Sequence, residues 1–154
     1  MPNLFDSDVA DGLLARIDRL TPDTAPDWGT MNVAQMLAHA SKPFETIYDP
    51  EYARQHPRPN AVMRLVLRMI VKPYVVGETP YRKNGRTVRE FVVSDARDFE
   101  TERQRLKAFI ARASGEGAAA FEGRESHSFG KLKAKEWSTM FYKHTDHPLT
   151  QFGV

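Results

Sequence analysis

The stretch from Phe129 to Val154, FGKLKAKEWSTMFYKHTDHPLTQFGV, constrains the fold more than any other part of the chain. It reads as one amphipathic helix starting near Leu132, with Trp137, Phe141 and His144 following at helical intervals before Pro148. A helix with so regular an apolar stripe has to bury it against other helices. The rest of the chain supplies them. Asp8 to Leu20 carries Val9, Leu13, Leu14, Ile17 and Leu20 on one face, with Ser7 placed to cap it. Asn32 opens a second helix, with Gln35 three residues on as in a capping box, and Val33, Met36, Leu37 and Ala40 as its apolar face. Pro43 is expected to kink that helix, because it leaves the carbonyl of His39 without its helical partner. After the turn-rich YDPEYARQHPRPN comes AVMRLVLRMIVKPYVV, and Ser94 or Asp95 caps a helix with Phe99, Leu106, Phe109 and Ile110 on one face. That helix stops at the SGEG of residues 114–117. Phe91, Val92 and Val93 suit a short strand or an extended segment. Five helices with little strand signal predict an all-α bundle, and 154 residues fit a single domain spanning 1–154.

Two segments need a choice between environments. In AVMRLVLRMIVKPYVV the cations Arg64, Arg68 and Lys72 recur every four residues. The segment is too interrupted for a membrane span, which takes about 18 apolar residues. A basic amphipathic helix can also lie on a membrane surface; the reading adopted is a core helix with its cationic edge in solvent, and no membrane partner. Arg82, Lys83, Arg86 and Arg89 crowd a loop punctuated by glycine and proline. With a net charge of only +2 and no recognition motif, they read as solvated, and no nucleic-acid partner is expected.

The chain has no cysteine, so disulfides, thiolate ligands and a cysteine nucleophile are excluded. No G-x-S-x-G elbow is present. The first residues lack a basic and apolar leader pattern, which predicts a cytoplasmic location.

The polar chemistry concentrates on histidines. His144 and His147 lie at i and i+3 in the last helix, a spacing that brings two imidazoles to one face. His39, beside the apolar stripe of the second helix, is the best-placed third group. Metal binding and an ordinary structural role are both open on spacing alone. His56, between prolines, and His127, in a polar loop, read as surface residues. Trp137 and Phe141 read as core.

The strings W-G-T-M-N-V-A-Q-M-L-A-H, H-S-F-G-K-L-x-x-x-E-W and Y-K-H-T-D-H-P-L-T-Q-F-G-V resemble a family of unknown function in the DinB/YfiT-like superfamily of metalloenzyme-type proteins. The likeness runs from Trp28 to Val154. It implies a DinB/YfiT-like four-helix bundle, here with an additional short helix and long loops, and a homodimer. It also implies a divalent ion, nickel or zinc, held by three histidines, one matching His39 and two in an H-x-x-x-H pair on the last helix. The superfamily includes transferases and isomerases, so the implied function is a metal-dependent enzyme of transferase, isomerase or hydrolase type acting on a small-molecule substrate. The alternative is a non-catalytic bundle with a degenerate metal site that binds a small ligand or a protein partner. One departure bears on this choice: Pro148 stands where the family's string H-x-D-H-H-x-x-Q-F-G has its second histidine. The expected metal set is therefore His39, His144 and His147, with weak or absent binding, Gln151 as a weaker donor, and Asp146 or Tyr142 as orienting groups. Pro148 is also expected to end or bend the helix near His147.

Overall fold

The computed structural model describes residues 1–85 and 89–154. Four helices pack around one core: α1 (Ser7–Asp18), α2 (Val33–Tyr48), α6 (Phe99–Phe121) and α7 (Ala134–Gln151). The first and second helices each pack on both α6 and α7, which also pack on one another. Three short helices, α3 (Pro50–Gln55), α4 (Ala61–Val66) and α5 (Lys72–Val76), fill the connection between α2 and α6. The class is all-α; the only sheet among the described residues is a two-stranded hairpin, Glu125–Ser126 with Gly130–Lys131.

Local chemistry sets the helix starts. Asn32 and Gln35 form the capping box anticipated for α2, each side chain serving the other's backbone N–H. The α6 cap is Asp98, not Ser94 or Asp95; its carboxylate accepts from Thr101 N at 2.8 Å. For α1 the cap position falls to Asp6, with Ser7 already helical. Gly117, at φ 73°, breaks α6 where the glycine-rich string foretold a stop, and one further turn carries on to Phe121. The segment 91–93 is not a strand: Arg89–Phe91 makes a single 3₁₀ turn.

Trp137 and Phe141 are wholly buried. Phe141 stacks on Phe44 at 4.4 Å between centroids, and Phe121 meets both Trp137 and Phe141 at 5.7 Å. These aromatic contacts join α2, α6 and α7 into one core. The helix α7 runs through Pro148 to Gln151, so of the expected end or bend near His147 the end does not occur. The lost N–H falls in the last turn, where few ladder bonds remain to be disrupted.

The largest departure concerns residues 61–76. They form α4, a π-helical turn at Leu67–Val71, and α5, with no buried residue in any of the three. Arg64 and Lys72 do not face solvent. They turn inward to Glu125 (2.6 Å) and Glu136 (2.7 Å), while Val62, Leu65, Val66, Met69 and Ile70 face out and Leu67, Val71 and Val75 face the bundle. In a regular α-helix residue i+8 lies about 80° beyond residue i. The wider π turn takes up that excess and brings both cations to the bundle side.

Trp137→Ala is expected to cost about 3–5 kcal/mol, the usual range for emptying a buried aromatic site. Denaturant unfolding checks it, and an unchanged midpoint would contradict the core assignment.

Candidate functional site

Pro43 has no N–H, so the carbonyl of His39, four residues earlier in α2, cannot make its helical bond. His144 of α7 uses that vacancy, its Nε2 lying 3.3 Å from His39 O. A carbonyl only accepts, so Nε2 carries the proton and Nδ1 keeps a free lone pair. The His39 ring is fixed the same way. Its Nδ1 donates to Phe91 O at 2.9 Å, leaving Nε2 as the free acceptor. The two rings sit 4.7 Å apart between centroids, tilted by 39°. His39 and His144 thus face one pocket.

Burial depresses the pKa of His39, with the nearby His147 and Lys42 adding to the effect, against the hydrogen bond that His39 donates to the Phe91 carbonyl. His144 is lowered further by burial and then by His39 beside it. His147 is lowered by burial, against the opposing pull of Asp146. All three imidazoles are neutral at pH 7, the form needed for a general base or a metal ligand.

These groups close one end of a cavity of about 700 Å³ between α2, α7 and the 61–76 segment. Its wall is mostly apolar, with Met63, Leu67, Val71, Val75, Phe129 and Met140 along it. Tyr81 stands edge-on to His147 at 5.8 Å and to His144 at 6.4 Å, and Phe91 edge-on to His144 at 5.4 Å. Burial raises the Tyr81 phenol well above its ordinary value, so it remains a proton donor.

His56 and His127, both half-exposed, also line this cavity. All five histidines of the chain line it. Tyr52 holds the far pair: its ring stacks on His56 at 4.3 Å and meets His127 edge-on at 5.7 Å. His127 sits on the turn of the hairpin, which Ser126 organises by accepting from Phe129 N and donating to Gly130 O.

Other residues of the closing motif do different work. Asp146 binds Arg16 at 2.6 Å, and the same guanidinium reaches Val154 O at 2.8 Å, so Asp146 ties α7 to α1. Gln151 donates to Trp28 O while its own backbone carbonyl accepts from Asp27 N at 2.8 Å. That pair fixes the 27–29 loop and stations Trp28 6.1 Å from His147. Asp146, Tyr142 and Gln151 are not among the cavity residues; Asp146 and Gln151 make the structural contacts just described. Lys143, buried in α7, donates to the carbonyls of Tyr74 (2.8 Å) and Gly77 (2.7 Å) and so fastens the end of α5 to the bundle.

As a metal site the cluster is incomplete. His39 and His144 present free nitrogens whose opposite sides are braced by backbone carbonyls, as metal-binding imidazoles usually are. Among the described residues, however, no group of three His, Asp or Glu side chains stands close enough to hold one ion.

No family model, curated protein or solved structure matches this chain.

The depressed histidines set a pH dependence. As pH falls below about 6.5, the unfolded chain takes up protons that the buried rings resist, so stability is full above that value and declines beneath it. Each such group removes about 1.4 kcal/mol per pH unit over that interval. The melting temperature is expected to fall between pH 7.5 and 5.5. His144→Gln keeps a donor for His39 O without titrating, and should flatten the fall; equal slopes would contradict the assignment.

Proposed function

We propose that the cavity is the working site of the protein, and that it takes up a small organic molecule with a largely apolar body. A polar group of that molecule rests against the free nitrogens of His39 Nε2 and His144 Nδ1, with the Tyr81 hydroxyl as donor. The observation that carries this reading is the cavity itself. Its volume, about 700 Å³, lies within the roughly 300–1,000 Å³ of small-molecule sites, and a few convergent polar groups stand on an apolar wall. Two neutral, tautomer-fixed imidazoles can hold a proton-donating ligand, or accept a proton from it.

A second reading is a divalent-metal-dependent enzyme, with transferase, isomerase or hydrolase chemistry. The braced nitrogens of His39 and His144 favour it, as does the resemblance of the histidine-bearing strings to the DinB/YfiT-like superfamily. In that reading His39 and His144 would hold the zinc or nickel ion, and His147 would have to move closer to serve as the third donor. The ion would supply Lewis-acid polarisation of a substrate oxygen or thiol. Pro148 in the family's second histidine position makes the ion weakly held, which is why ligand binding comes first. Homodimerisation belongs with this second reading too.

The test uses protein prepared without a polyhistidine tag. The apolar probe 8-anilinonaphthalene-1-sulfonate is expected to bind the native chain, shown by quenching of Trp137 emission. Leu67→Trp, which fills the cavity wall, should weaken that binding about tenfold or more, equivalent to about 1.4 kcal/mol. Probe binding that Leu67→Trp leaves untouched would overturn the cavity reading. Titration calorimetry with zinc and nickel separates the second reading: tight binding lost in His144→Gln supports a metal centre. In that case Pro148→His should raise the affinity further.

A further inference from the structure

The strongest unexplained feature is the outward face of residues 61–76. Val62, Leu65, Met69 and Ile70 are 75%, 58%, 70% and 71% exposed, on a helical segment with no buried residue. Isolated exposed apolar side chains are ordinary, but a contiguous patch marks a surface that another phase or molecule covers. We propose that this face docks the protein onto an anionic lipid bilayer surface, with the helix axis in the plane of the interface.

Charge argues for lipid over a second copy of the chain. From Ala61 to Gly77 there is no Asp or Glu, and the three charges are Arg64, Arg68 and Lys72. Arg64 and Lys72 are satisfied inward by Glu125 and Glu136, which hold the segment's polar side on the bundle. Arg68 stays exposed, and Arg58, Arg82 and Lys83 are exposed on the neighbouring loops. The nearest acidic residue in sequence, Glu78, is engaged by Lys135 at 2.9 Å. A two-fold contact between copies through this face would set cation against cation with no carboxylate between them. A surface of anionic headgroups over an acyl layer satisfies both the cations and the apolar side chains.

The cavity lies directly beneath. Met63 and Tyr74 are exposed on the outer surface and also line the cavity, so an apolar path runs from the docking face inward along the helix edges. Docking itself does not depend on the cavity reading, since the outer side chains would engage lipid whatever lies below.

The experiment is cosedimentation of the full chain with sucrose-loaded vesicles, either pure phosphatidylcholine or phosphatidylcholine with phosphatidylserine. Binding is expected to the phosphatidylserine vesicles and to weaken at high salt. Met69→Asp with Ile70→Asp should abolish it; both side chains are in water in the free protein, so the fold is retained, which circular dichroism confirms. Arg68→Glu should reduce binding about fivefold or more, the weight of one juxtamembrane cation. No vesicle binding by the parent, or binding unchanged in the aspartate variant, would overturn the proposal. So would a dimer by light scattering that the aspartate variant splits without any vesicle binding, which would assign the face to a second copy. His39→Ala with His144→Ala tests the cavity separately: vesicle binding that survives there upholds docking even if the cavity reading fails.

Discussion

The arrangement of the site depends on one missing hydrogen. Because Pro43 cannot donate, the carbonyl of His39 is left inside the bundle with no helical partner. An unpaired carbonyl at such depth carries a cost comparable to a lost hydrogen bond, and the donor it meets comes from α7. His144 fills that role, and in doing so fixes its tautomer, its orientation and the distance between the two helices at that level. The backbone defect and the imidazole pair are one feature. A helix that continued regularly through residue 43 would leave His144 without the bond that aims its free nitrogen into the cavity.

Around that point the bundle is held by contacts of two kinds. Aromatic packing of Phe44, Phe121, Trp137 and Phe141 fixes the interior. At the rim, side chains bind loop backbone: Lys143 to the end of α5, Gln151 to Trp28, Arg16 to Val154. The roof of the cavity is attached by ion pairs, by Lys143 and, at its far end, by Val75 and Val76 against the core.

Where period and burial coincide, the sequence was readable. The stripes of α1, α2, α6 and α7 give the all-α class, and His39 and His144 were recognisable because each borders such a stripe. The failures share a cause, which is partners distant along the chain. Hydropathy alone makes residues 61–76 a core helix; only Glu125 and Glu136, some sixty residues on, turn it over. His56 and His127 belong to polar stretches, and meet only because Tyr52 and the hairpin bring a turn after α3 and a turn before α7 together. Asp146 and Gln151 sit in a string that reads as chemistry, while their side chains serve α1 and the 27–29 loop. Pro148 was expected to end or bend α7; the helix does not end there, because a proline in the final turn forfeits little of the ladder.

The π turn at Leu67–Val71 makes the roof sensitive to length in a way that it is not sensitive to composition. Outward positions there touch no protein, so exchange among apolar residues alters little inside. Adding a residue there would swing everything downstream by about 100°. Lys72 would then leave Glu136, and the carbonyls of Tyr74 and Gly77 would leave Lys143. Removing one would restore regular α geometry and set the second cation at i+7, about 20° short of two full turns and still on the bundle side. Homologous chains that keep this roof should therefore tolerate drift in its residues and the loss of the π turn, but no insertion.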